Sequence, residues 1–165
     1  FSSITYEKIN SYFDNSFDMT NMAFFGENLI LDKICEKDIC VGDVLKIGQA
    51  KVQITQPRQP CWKLSANSLK NSMTKFIFET GLTGFYAKVL KEGQISQNDD
   101  VVLEQRTNPN LTIEKLNQII VEPKIDINLT KEALACEDLG HQFKNSLTKR
   151  YELGDEDNQF SFYHT

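Results

Sequence analysis

Val44-Leu45-Lys46-Ile47-Gly48-Gln49-Ala50-Lys51-Val52-Gln53-Ile54-Thr55 is the stretch that decides the fold class of this chain. Two apolar-rich runs flank Gly48-Gln49, a combination that predicts a tight β-hairpin. In the second run Ala50, Val52 and Ile54 fall on one face while Lys51, Gln53 and Thr55 fall on the other, which predicts a half-buried strand. Downstream, Phe85 to Leu90 and Asp100 to Gln105 predict two more strands joined by a turn containing Gly93. Between them Met73, Phe76, Ile77 and Thr80 repeat at helical spacing, with Asn71 or Ser72 placed to cap the start and Gly81 to stop the helix. Upstream, Gly26 predicts a turn into a short strand ending near Leu31. Tyr6, Tyr12, Phe13 and Phe17, mixed with polar residues between Ile4 and Phe17, fit a short helix and loop against a core. Residues 1–107 are therefore expected to be mainly β.

Beyond Asn108-Pro109 the period changes. Ile113, Leu116, Ile119 and Ile120 mark one helix, Leu129, Ala133 and Leu134 a second, and Leu139, Phe143 and Leu147 a third. Residues 110–151 thus predict a three-helix appendage, too small to bury much alone, that packs on the β part or on a second subunit. Residues 152–165 form an acidic tail carrying Phe160, Phe162 and Tyr163, either frayed or docking those aromatics.

Composition narrows the function classes. With 165 residues, 40% of them hydrophobic, and eleven Phe, five Tyr and one Trp, the chain can bury a core. A formal net charge of −5 argues against tight binding to phosphate backbones, so no nucleic-acid partner is expected. No run reaches the roughly 18–20 apolar residues of a membrane span and no secretion signal is evident. The chain is expected to be cytoplasmic. Its four cysteines, Cys35, Cys40, Cys61 and Cys136, are accordingly expected as reduced thiols.

The segment that carries chemistry follows the alternating strand: Gln56-Pro57-Arg58-Gln59-Pro60-Cys61-Trp62-Lys63-Leu64. Two prolines stiffen the loop and give it no amide donors at those positions. Arg58 and Lys63 bring positive charge near Cys61 in sequence, a setting that favours the thiolate form. Composition and spacing leave two readings open: a small buried hydrophobe beside Trp62 and Leu64, or a reactive or metal-binding thiol. Cys35 and Cys40 make at most half a zinc site, since a second ligand pair is missing. Gly81-Leu82-Thr83-Gly84 lacks the Lys-Ser/Thr of a phosphate loop and is read as structural. Asp155-Glu156-Asp157 is read as a solvated end.

Four blocks in order carry a family resemblance: Phe25-Gly26-Glu27-Asn28-Leu29, Gly42-Asp43, the Gln56–Leu64 segment, and Thr80-Gly81-Leu82-Thr83-Gly84-Phe85-Tyr86. Together they resemble MOSC domains of the YiiM-like bacterial group. The stretch from Leu111 to Arg150 is similar to the three-helix domain that follows MOSC in that group. The resemblance implies a MOSC-type β-barrel over 1–107 that binds molybdenum cofactor, with Cys61 coordinating molybdenum and serving as the catalytic residue. A thiolate is a soft ligand suited to a transition metal. On the same implication Arg58 would take a phosphate or oxyanion through its forked donors, and Glu27 and Asn28 would hydrogen-bond the pterin ring or a substrate amine. Gln56 and Lys63 complete the implied cofactor-binding set.

The implied activity is reduction of N-hydroxylated compounds such as hydroxylamino-purines, in which a reduced molybdenum centre accepts the hydroxyl oxygen while acidic groups supply protons. A separate electron-transfer protein is then needed, with the three-helix appendage as its expected docking surface. The alternative is a binding module that carries the cofactor, or sulfur on Cys61, without turnover of its own. Members of the group carry further strands and a His-Gly-Gly motif upstream of the Phe-Gly-Glu-Asn-Leu segment. These are expected to be missing here, leaving the barrel incomplete at its N-terminal side, and neither His141 nor His164 replaces that histidine. Open strand edges invite pairing, so a homodimer that completes the sheet is a further expectation.

Overall fold

A computed structural model describes residues 1–18 and 23–153. The hairpin forms as predicted: β1 (Val44–Ile47) and β2 (Ala50–Pro57) pair antiparallel, with Ile47 opposite Ala50 and Val44 opposite Gln53. Ala50, Val52 and Ile54 are buried and the intervening side chains are half-exposed. Gly48 turns the chain with φ +55°, a conformation that glycine enters without a Cβ clash.

Two more strands flank this pair, β3 (Phe85–Lys91) against β2 and β4 (Val101–Gln105) against β1, in the order β3-β2-β1-β4. The two later strands therefore occupy opposite edges, and residues 92–100 pass from one to the other around the hairpin turn. Gln49 N donates to Gln94 O at 3.0 Å, and a Cβ on Gly93 would sit 2.5 Å from the Gln49 carbonyl carbon. Glycine is needed there because backbone crosses backbone.

Among the described residues six helices accompany the sheet: α1 (Ser3–Tyr12), α2 (Lys63–Ser68), α3 (Met73–Thr80), α4 (Ile113–Val121), α5 (Ile127–Ala135) and α6 (His141–Leu153). Three of them fall within residues 1–107, and among the described residues the sheet is not closed into a barrel. The expectation of a mainly β barrel is corrected to a four-stranded antiparallel sheet with six helices. No regular strand follows Gly26; Leu31 makes only an isolated bridge with Ser2. Apolar residues at that point are drawn into side-chain packing instead of a ladder.

Side-chain caps explain several helix starts. Ser2 accepts from Thr5 N, Thr112 from Lys115 N and Asp126 from Leu129 N, satisfying amides that have no partner within the helix. Gly81, at φ +69°, ends α3 as predicted, whereas Ser72 at its start makes no side-chain cap.

Burial divides into two clusters. The larger joins Leu45, Ile47, Val52 and Ile54 of the sheet to Leu116, Ile119, Phe143 and Leu147 of α4 and α6. The smaller gathers Tyr6 and Ile9 of α1, Phe17, Phe25, Leu64 of α2, and Met73 and Ile77 of α3. Asp138, just before α6, fastens the helical part to the sheet side by accepting from Gln53, Thr107 and Asn108, each at 3.1 Å. Asp43, wholly buried, accepts from Arg106 Nε (2.9 Å) and Nη2 (2.7 Å) and from Cys40 N (2.8 Å). Residues 154–165, which include the expected aromatic tail, the Asp155-Glu156-Asp157 run and His164, lie outside the described residues.

Candidate functional site

A cavity of about 400 Å³ opens beside the apolar side of the sheet, within the usual size range of small-molecule sites. Its floor is apolar, made by Leu45 and Ile47 of β1, Val52 and Ile54 of β2, and Ala87 and Val89 of β3. Its polar lining side chains are Glu27 and Asn28 from the loop after Gly26, Arg58 from the segment after β2, and Tyr86 of β3. A largely apolar ligand that also carries hydrogen-bonding groups matches this lining.

Two features of the backbone bring those side chains together. Gly26 turns with φ +73° and aims the next two residues at the cavity. Arg58 leaves the end of β2 with its amide bonded to Gly84 O at 3.1 Å, so its position depends on the loop between α3 and β3. That loop is anchored twice: Asn117 of α4 donates to Gly81 O (2.8 Å) and to Thr83 Oγ1 (2.9 Å), and Gly84 N donates to Glu36 Oε1 (2.9 Å). Glu36 is itself buried, and its other oxygen accepts from Thr5 of α1 at 2.6 Å. The read of Gly81–Gly84 as structural agrees with these bonds.

Glu27 is held from behind. Its Oε1 accepts from the Tyr6 hydroxyl at 2.5 Å and its Oε2 from Phe25 N at 3.2 Å. Burial, with the hydrogen bond to Glu27 and its negative charge added, pushes the Tyr6 phenol well above its ordinary range. The sequence pattern around Tyr6 indicates only a short helix and loop against a core. The usable signal was weak but physical, since a buried tyrosine hydroxyl generally requires a partner.

The remaining sequence candidates are arranged differently. Cys61 is a free, partly exposed thiol just before α2. It does not line the cavity, although three residue steps of chain place its Cα at most about 11 Å from that of Arg58. Its carbonyl is fixed by Leu64 N (2.9 Å) and Thr74 Oγ1 (3.0 Å). Lys63 begins α2 with its side chain in solvent. Gln56 is buried and its amide lies against Gly140 in front of α6, so it faces the helical part and not the cavity. Cys35 and Cys40 are buried thiols: Cys35 Sγ donates to Asp38 at 3.1 Å and Cys40 Sγ to Pro109 O at 3.6 Å. Burial raises both above the ordinary thiol range, helped by the charges of Asp38 and Asp43 respectively. No group of three or more His, Cys, Asp or Glu side chains among the described residues is arranged to hold a metal ion. No described helix is long and apolar enough to cross a membrane.

Comparison with known proteins adds a lineage to this geometry. Residues 1–102 match the family model described as MOSC domain. Bacillus subtilis YflK is 33% identical over 128 residues, covering 78% of this chain and 58% of that protein. A Gibberella moniliformis protein named reductase is 28% identical over 116 residues, covering 70% of this chain but 21% of its own length. The crystal structure of YiiM from Geobacillus stearothermophilus superposes with a TM-score of 0.82 at 31% identity, covering 91% of this chain and 75% of that one. The chain thus spans little more than half the length of YflK and about a fifth of the fungal reductase.

Proposed function

The chain belongs to the MOSC domain family, and from that premise we propose that it binds molybdenum cofactor and takes part in reducing N-hydroxylated small molecules such as hydroxylamino-purines. The observation that carries the reading is the meeting of Glu27, Asn28 and Arg58 in the lining of one largely apolar cavity, with Cys61 three residues beyond Arg58. The similarity to a protein named reductase supports the oxidoreductase part.

The donor set fits the group. Arg58 offers a planar fork of N–H donors suited to a phosphate. Glu27 and Asn28 present acceptor and donor atoms to the N–H and carbonyl edge of a fused ring, and the strand side chains beneath give that ring an apolar bed. Cys61, unbridged and partly exposed, offers a soft sulfur ligand. When bound, the cofactor supplies the electrons for cleavage of the substrate N–O bond. What the chain contributes is position and charge: Arg58 neutralises anionic oxygens, Glu27 orients a hydrogen-bonded ring, and the apolar floor keeps water from competing for those bonds. Electrons would come from a separate donor protein.

The test is turnover. Protein purified from cells that make molybdenum cofactor is supplied with a reduced viologen and an N-hydroxylated purine, and loss of substrate is followed by chromatography. Turnover in the parent and its loss in Cys61→Ala are expected. Protein that holds pterin and metal yet reduces no such substrate with any donor would replace this reading by that of a cofactor carrier.

A further inference from the structure

Tyr6 is 1% exposed and sits on α1, none of whose residues lines the cavity. Its hydroxyl oxygen accepts from two consecutive backbone amides, Ala23 N at 3.2 Å and Phe24 N at 3.0 Å. A phenol has two acceptor lone pairs and one proton. With both lone pairs engaged, the proton has a single destination, Glu27 Oε1. Phe25 N holds the other carboxylate oxygen. The carboxylate is thus gripped by two donors, and its free lone pairs are left for the cavity that Glu27 lines.

We infer that Tyr6 is a positioning residue for Glu27, fixing that carboxylate as an acceptor for a ligand that presents an N–H donor edge, such as the aminopyrimidine edge of a fused ring. The inference rests on the reading of the cavity as the cofactor site and extends it to a residue that does not touch the ligand. Packing alone does not account for the arrangement. The Tyr6 ring packs edge-on to Phe1 and tilted against Phe25, which phenylalanine would serve equally, whereas the hydroxyl is engaged entirely by the 23–24 amides and Glu27.

Two measurements test it together. Ultraviolet titration of tyrosinate on cofactor-free protein compares the parent with Glu27→Gln. The last tyrosine to ionise in the parent is expected to ionise at lower pH in the variant, because burial remains but the carboxylate charge that adds to it is gone. Coincident curves overturn the coupling. The second measurement is molybdopterin retained per chain, with thermal midpoints, in the parent, Tyr6→Phe, Glu27→Gln and the double variant, all purified from cofactor-making cells. A several-fold loss in Tyr6→Phe is expected, with the double variant no lower than Glu27→Gln alone. If Glu27→Gln loses pterin and Tyr6→Phe keeps the parental level, the positioning role fails and the cavity reading stands. If neither variant loses any, both Glu27 and Tyr6 are removed from the site. A parent without pterin refutes the cofactor reading itself, and there, or where Tyr6→Phe does not fold, the titration decides the Tyr6–Glu27 coupling.

Discussion

Replacing Arg106 by methionine keeps most of the aliphatic stem and removes the guanidinium fork that Asp43 depends on. Asp43 has no solvent exposure, while the Arg106 side chain is 34% exposed. Removal of the arginine therefore leaves a wholly buried carboxylate with Cys40 N as its remaining side-chain hydrogen bond, and also frees Asp38 O, which Arg106 Nη2 meets at 2.8 Å. Breaking a buried pair from one side costs about 3–5 kcal/mol. Because water can follow the vacated arginine channel, the lower end applies, about 3 kcal/mol. For a chain of this size that corresponds to a fall in Tm of about 6–12 °C. The assay is urea unfolding followed by circular dichroism, with a cycle through Asp43→Asn and the double variant. The double variant is expected to recover part of the loss, a coupling of about 1–3 kcal/mol. A loss for Arg106→Met below about 1 kcal/mol, typical of exposed ion pairs, would refute the argument that the buried end of the pair sets its strength.

Other outcomes follow from the same contacts. A Cβ on Gly140 would run into the buried amide of Gln56, so Gly140→Ala should destabilise by about 1–3 kcal/mol through overpacking; calorimetry showing an unchanged Tm would mean that the helical part does not press on β2 as described. In native protein a thiol reagent at pH 8 should modify Cys61 ahead of Cys35 and Cys40, which are buried and shifted upward; peptide mapping that finds Cys35 or Cys40 labelled first would contradict this. Since those two thiols are raised in the folded state, the protonated form is favoured by folding. Their contribution is full below the ordinary thiol pKa of about 8.5 and is lost as pH rises beyond it. The Cys35→Ala/Cys40→Ala variant should accordingly lose stability less steeply with rising pH than the parent, measured as Tm against pH.

The elements visible in the sequence were those with a clean period. Ala50, Val52 and Ile54 alternate and their strand is where alternation puts it, and Leu116, Ile119 and Ile120 mark a helix by their spacing. What periodicity could not show was connectivity. β3 and β4 read as successive strands, yet the hairpin between them in the sheet separates them, a choice made by tertiary pairing and by the close crossing at Gly93. The six-residue α2 was too short to show a period, and its first residues had been read as an extension of the proline loop. The site was legible in part. Glu27, Asn28 and Arg58 share a cavity, whereas Gln56, buried in phase with Val52 and Ile54, is taken up by the helical part at Gly140, a tertiary contact that alternation does not reveal. That the Tyr6 hydroxyl needs a partner could be read from the sequence, but not which one, because Glu27 lies 21 residues away.

The central claim is that Cys61 binds the metal of a molybdenum cofactor seated beside Arg58 and Glu27. The direct measurement is molybdenum by mass spectrometry and pterin by fluorescence on parent and Cys61→Ala proteins purified from cofactor-making cells. Metal and pterin near one per chain in the parent, with metal lost from a Cys61→Ala variant of unchanged Tm, is the predicted result. Equal molybdenum in both proteins would contradict it.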